Sequence, residues 1–170
     1  MAILRILEVP NPILKRPAAP VDSIDDAVRR LLDDMLETMY AAPGIGLAAP
    51  QVGVSKRLVV VDVSEAKNTP LRLINPRLTW KSDRLVVAEE GCLSLPEQYA
   101  EVKRPEAVEV AYLDEHGEAR TLKAEGLLAR CLQHEIDHLD GILFIDHLSP
   151  LKRNMILRRY AKARRLRASA

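Results

Sequence analysis

The run Gln133-His134-Glu135-Ile136-Asp137-His138 constrains this chain more than any other feature, because its meaning depends on the backbone that carries it. On an α-helix, residues four apart share a face, so both imidazoles can hold one divalent cation while Glu135 reaches the space beside it. On a strand the spacing means nothing. The surroundings argue for helix. Across residues 126–141 the apolar Leu127, Leu128, Cys131, Leu132, Ile136 and Leu139 recur at threes and fours, no proline intervenes, and Gly126 and Gly141 bracket the segment. A helix of about four turns is predicted. A bare His-x-x-x-His pair is more often two surface or satisfied core histidines. A glutamate directly after the first, on a helix with an apolar opposite face, favours a metal site.

Two histidines leave a metal short of ligands, since catalytic sites usually take three from the protein and keep one position for water. Downstream, Asp140, Asp146 and His147 are available before the chain turns basic. Upstream, Cys92 lies in Glu89-Glu90-Gly91-Cys92-Leu93-Ser94-Leu95-Pro96, where a glycine and a proline bracket a segment able to bring a thiolate to the helix. Cys131 competes from one turn before His134, although a cysteine in an apolar helix stripe is usually a small core residue.

A third segment, Gly44-Ile45-Gly46-Leu47-Ala48-Ala49-Pro50-Gln51-Val52-Gly53, lacks side-chain bulk, so its backbone can approach a ligand closely. Gln51 is the one side chain there that can donate a hydrogen bond. The run has no Gly-Lys-Ser/Thr and precedes a strand, so it is not a phosphate loop.

Gly-x-Gly-x-Ala-Ala-x-Gln at Gly44 to Gln51, Glu-Gly-Cys-x-Ser at Glu90 to Ser94 and His-Glu-x-Asp-His at His134 to His138 stand in one order over nearly the whole chain. In these motifs the chain resembles the peptide deformylases of bacterial type. The resemblance implies a metal held by Cys92, His134 and His138, resolving the third ligand toward Cys92, with Glu135 handling protons. It implies that Gln51 and the Leu93 backbone N–H point at the substrate carbonyl oxygen. Gly44, Ile45, Gly46, Glu90, Leu127 and Cys131 would contribute to substrate binding, with plain core packing the alternative for Ile45 and Leu127. Arg130 adjoins this set, and Tyr99 falls near the substrate backbone. The implied metal is iron(II) (Fe2+), and Cys and His ligands equally suit zinc, cobalt or nickel. The implied substrate is the N-formyl-methionine of a nascent polypeptide, hydrolysed to formate and a free amine.

Charge and length set bounds consistent with this. With 170 residues, one domain over residues 1–170 is expected. A formal net charge of +1 argues against a general nucleic-acid binder, yet it hides an asymmetry. Residues 151–170 hold eight Lys and Arg and no acid, while the preceding part has 17 basic and 24 acidic residues. A helix over about 151–168 is predicted, with Leu151, Met155, Leu157, Tyr160 and Leu166 as contacts. A basic face is commonly just a solvated helix surface. In bacterial deformylases such a helix is associated with docking on the ribosome. No apolar stretch is long enough to span a membrane, residues 1–10 lack a secretion signal, and two cysteines suggest a reducing compartment, so a cytoplasmic location is expected.

The remainder reads as scaffold. Ser23 can cap a helix carrying Ile24, Val28, Leu31, Leu32, Met35, Leu36 and Met39 at helical period. Strands are predicted at 57–63, 71–75, 86–88, 102, 107–113 and 120–123, with Asp114-Glu115-His116-Gly117 a hairpin turn and 62–70 the flexible loop. Few helical crossovers separate the strands, so an α+β fold of mostly antiparallel sheets around a central metal-binding helix is expected, with helices at both ends. Two other classes use the same helix: a metallopeptidase cleaving internal bonds, and a non-catalytic ribosome-associated protein with a structural metal. The latter has no need of Glu135.

Overall fold

Capping decides where the first long helix begins. The computed structural model describes residues 2–169. In it α1 spans Asp26–Ala41, with Asp25 as N-cap, its carboxylate accepting from the Val28 N–H at 2.9 Å. Ser23, the expected cap, lies too far upstream to reach the first free amides. Asp25 also places a negative charge at the positive end of the helix dipole. As the period predicts, Val28, Leu32, Met35, Leu36 and Met39 are buried.

Seven strands follow in chain order: β1 (Gly46–Ala48), β2 (Leu58–Val61), β3 (Leu71–Lys81), β4 (Leu85–Cys92), β5 (Leu95–Pro105), β6 (Ala107–Leu113) and β7 (Ala119–Glu125). They form a five-stranded sheet in the order β1-β2-β3-β6-β7 and a separate β4–β5 hairpin, and all named pairs are antiparallel, as expected. Then come α2 (Gly126–Leu139) and α3 (Pro150–Ser169). β2 is buried along its whole length because both faces are covered. Val59 and Val61 join the core that includes Leu132, Ile136 and Leu139 of α2, while Leu58 and Val60 join the core built on α1. The central helix is thus pressed against the sheet by its apolar side, and its polar side is left for the hairpin.

β3, β4 and β5 run well beyond the predicted stretches. Many of their extra residues are charged or exposed, as at Trp80, Glu89, Glu101 and Lys103, and cross-strand backbone pairing rather than apolar alternation keeps these extended. The 62–70 segment, expected to be loose, is tied at its base. Buried Asp62 accepts from the Ser64 N–H and hydroxyl, the Thr69 N–H and the Tyr40 hydroxyl. The 114–117 turn forms as predicted, with Asp114 accepting from the amides of His116 and Glu118.

α3 packs through Ile156 and Tyr160, with Leu157 half-buried; Leu151, Met155 and Leu166, expected as contacts, are exposed. The helix docks by a short patch only. Three of its cations are engaged: Arg153 with Asp146, Arg164 with the Val9 carbonyl and Arg167 with Glu8. Among the described residues no helix is long and apolar enough to cross a membrane.

Candidate metal centre

Two structural elements bring the ligands together. α2 starts where predicted and ends at Leu139, two residues before Gly141, whose φ of +75° sends the chain back over Lys15; a β-carbon there would meet the Lys15 carbonyl oxygen at 2.5 Å. One helical face therefore presents His134 and His138. Cys92 comes from the hairpin, where a register shift between Gly91 and Cys92 precedes the Leu93–Ser94 turn and frees the thiol from the strand alternation.

The Cys92 sulfur lies 3.3 Å from Nε2 of His138, and the ligand atoms of Cys92, His134 and His138 all fall within 4.8 Å of one another. Bonds of about 2.0–2.3 Å in a tetrahedral site put ligand atoms roughly 3.3–3.7 Å apart, so this trio needs only a small closure to hold one cation. The other candidates are committed elsewhere. Asp140 accepts from Arg57, Asp146 from Lys15 and Arg153, and His147 pairs with Asp137. Burial pushes the Cys131 thiol well up from its ordinary value, and its sulfur faces the Ile45 carbonyl.

The electrostatics also fit a cation. Burial lowers the pKa of His134, but nearby Glu135, Cys92 and Glu90 outweigh it and hold the imidazole well above its ordinary value. A site negative enough to retain a proton there is one that a divalent cation can neutralise instead. His138 is pushed well below its ordinary value, first by burial and then by the positive charges around it, which keeps it in the neutral form a metal requires. Nδ1 of His134 meets Glu90 Oε1 at 3.0 Å, which turns Nε2 toward the trio.

Glu90 itself, expected to bind substrate, has both oxygens engaged within the protein. Arg104 donates to Oε2 at 2.5 Å and to Oε1 at 2.9 Å, and Arg130 donates to Oε2 at 2.6 Å. Burial alone would raise the Glu90 carboxyl; the bonds from His134 and Arg104 overcome it and bring the pKa down to about 2. Arg104 also donates to Asp137. Sequence reasoning missed Arg104, and a lone arginine in a strand gives no signal, whereas Asp137 stood within the motif.

Glu135 is buried beside the trio, and its Oε1 has no hydrogen-bond partner among the described residues. Burial pushes its carboxyl up to about 7. Gln51 is held by its Oε1, which accepts from the Ala48 N–H at 2.9 Å, leaving Nε2 to face Ser94 Oγ at 3.1 Å and the Cys92 sulfur at 3.6 Å. These groups open on a cleft of about 720 Å³, lined also by Gly44, Ile45, Gly46, Leu93, Leu127, Arg130, Cys131 and Tyr99. Ile45 and Leu127 are exposed to it, so neither is a core residue.

The whole arrangement has close relatives. The family model for polypeptide deformylase matches residues 3–154. A peptide deformylase of Rhizobium meliloti is 54% identical, with 99% of this chain and 98% of that one covered, and one of Azotobacter vinelandii is 55% identical over 97% and 98%. Among solved structures, a peptide deformylase from Legionella pneumophila superposes with a TM-score of 0.94 at 47% identity, covering 99% of each chain. One from Ehrlichia chaffeensis in complex with actinonin gives 0.92 at 43%, covering 96% and 98%. A Cys-His-His trio with a buried glutamate at the floor of an apolar cleft, in a chain so matched, belongs to the polypeptide deformylase family, hydrolases that use a catalytic metal to remove the N-terminal formyl group of nascent peptides.

Proposed function

We propose that this chain hydrolyses the formyl group of formyl-methionyl peptides with Glu135 as the proton carrier and Gln51 and Leu93 as donors to the formyl oxygen. The observation that carries it is Glu135: a buried carboxylate with an unpartnered oxygen, next to three metal-ligand side chains and open to the cleft. A purely structural metal has no use for such a group. A cation held by Cys92, His134 and His138 would polarise the formyl carbonyl and make a water acidic enough to react near neutral pH.

Glu135 takes the proton of the attacking water as its oxygen joins the formyl carbon. It returns the proton to the nitrogen as the C–N bond breaks, leaving formate and a free amine. Charge accumulating on the formyl oxygen meets Nε2 of Gln51, whose amide is already oriented by Ala48, and the N–H of Leu93 in the turn after Cys92. Gly44, Ile45, Gly46, Leu127 and Cys131 line the space for the methionine side chain. Thiolate and imidazole ligands are compatible with several first-row metals, and we assign iron(II) as the working ion, with zinc, nickel and cobalt as substitutes.

Formate release from formyl-Met-Ala-Ser tests the reading, using protein loaded anaerobically with iron(II) or with nickel, beside Glu135→Ala and Cys92→Ser. Release that depends on metal and collapses in both variants is the expected result. Metal-loaded protein that cleaves only unformylated peptides would make it a peptidase instead.

We also propose a ribosomal contact through α3. Among the described residues, exposed Lys152, Arg158, Arg159, Lys162 and Arg165 form no ion pair and give the helix a positive outer face. Reversing these five to Glu leaves Ile156 and Tyr160 in place and should abolish cosedimentation with ribosomes at low salt. Unchanged cosedimentation would sink the contact.

A further inference from the structure

The β4–β5 hairpin is not part of the main sheet, yet it carries Cys92 and the Leu93 turn, while His134, Glu135 and His138 ride on α2. The geometry of the centre therefore depends on what fixes the hairpin against the helix. Four α2 residues face it, Arg130, Gln133, His134 and Asp137, at the spacing of a single helical face. Gln133 donates to the Pro105 carbonyl at 3.0 Å, His134 bonds Glu90, and Asp137 accepts from Arg104. Arg130 makes the widest connection. Its guanidinium donates to the Val86 carbonyl of β4 at 2.7 Å, to the Val102 carbonyl of β5 at 2.9 Å and to Glu90 Oε2 at 2.6 Å, with its side chain only 12% exposed.

We propose that Arg130 is a positioning residue of the metal centre, fastening both strands of the Cys92 hairpin to the helix that carries the two histidines. Although Arg130 lines the cleft, two of its terminal nitrogens are spent on the hairpin and point to no role in gripping substrate. Charge bookkeeping agrees. Glu90 and Asp137 are two anions on one arginine, Arg104, and Arg130 sets a second guanidinium beside Glu90. Glu90 is then held from both sides with Oε1 left for His134. A lysine could replace the charge but not the planar fork that spans two carbonyls and a carboxylate.

The inference rests on the reading of Cys92, His134 and His138 as metal ligands, and the test separates the two. Full-length wild type, Arg130→Met and Arg130→Lys are loaded with cobalt(II). Stoichiometric uptake by wild type with a thiolate-to-cobalt absorption band checks the reading without any substrate. A group that hydrogen-bonds a ligand directly, as Glu90 does His134, typically contributes about 10–100-fold in metal affinity, and Arg130 acts through Glu90 and the hairpin. We therefore expect Arg130→Met to surrender cobalt to a chelator at least about tenfold faster, with a displaced absorption band and a lower kcat at little-changed KM on formyl-Met-Ala-Ser. Arg130→Lys should fall between it and wild type. Release rate and absorption equal to wild type, whatever happens to the melting temperature, would reduce Arg130 to a structural residue and overturn the proposal, as would a rise in KM alone. Should Arg130→Met fail to fold, Arg130→Lys decides by the same criteria.

Discussion

Gly46 lies so close to Glu135 that a β-carbon on it would sit 2.5 Å from Oε2 of the glutamate and 2.8 Å from the Cys131 sulfur. The glycine thus leaves room for the carboxylate beside the candidate ligands His134 and His138. Gly46→Ala should leave the fold intact, since β1 is extended there, and lower kcat by about a hundredfold by displacing the proton carrier. Steady-state kinetics with circular dichroism checks it; full activity would mean that Glu135 works from a second position.

Glu90 ties acid stability to the metal centre. Its carboxyl, drawn down from an ordinary 4.5 to about 2, contributes stability that is complete above pH 4.5 and lost as the pH falls toward 2, because the unfolded chain binds that proton more readily. Glu90→Gln has no such titration; it leaves Arg130 without its anion and Arg104 with Asp137 alone. In metal-free protein the urea-stability gap between wild type and variant should be widest above about pH 5 and narrow steadily in acid. A gap independent of pH would detach Glu90 from this role.

Loading the centre should stabilise the fold by mass action. At a free metal concentration a hundred times the dissociation constant, the gain is about 2.7 kcal/mol, a rise in Tm of about 5–10 °C for a chain of this size. Nickel added to apo-protein in a thermal melt should produce it. Cys92→Ser should lose most of the rise, and an equal rise in the variant would exclude the thiolate as a ligand.

Gln51→Ala removes the oriented Nε2 donor while leaving the three metal ligands in place. Removing one donor of this type commonly costs about 10²–10³ in kcat, and we expect a loss in that range with metal content unchanged. If the variant loses metal instead, the contact of Gln51 with Ser94 matters more for the Cys92 turn than for the substrate.

The Tyr160 hydroxyl donates to Glu8 at 2.5 Å and anchors α3 to the N-terminal segment. Tyr160→Phe should lower stability by about 1 kcal/mol, read by urea denaturation. No change would leave the anchoring to the apolar contacts of Ile156 and the Tyr160 ring together with the bonds of Arg153, Arg164 and Arg167.

Local chemistry made part of this protein legible in advance. The α2 boundaries followed from glycines and helical period, the 114–117 turn from its Asp and Gly, and the antiparallel sheets from the lack of crossovers. Where a second strand supplies the order, the sequence was silent: β4 and β5 hold charged, exposed residues that look like loop until paired. Ser23 was the expected cap, and the helix starts two residues later, at Asp26 with Asp25 as its cap.

The sequence by itself determined that His134 and His138 share a helical face with Glu135 between them, because four-residue spacing is a property of the helix and needs no partner. Only the tertiary structure decided the rest of the centre. Cys92 stands 42 residues before His134, and it becomes a ligand candidate because α2 buries its apolar side against the sheet and turns its polar side to the hairpin. Glu90, Arg104 and Arg130 then close on one another there. A buried charge is tolerable only where opposite charges and donors surround it, and those partners come from separate strands and a helix whose meeting no local pattern encodes.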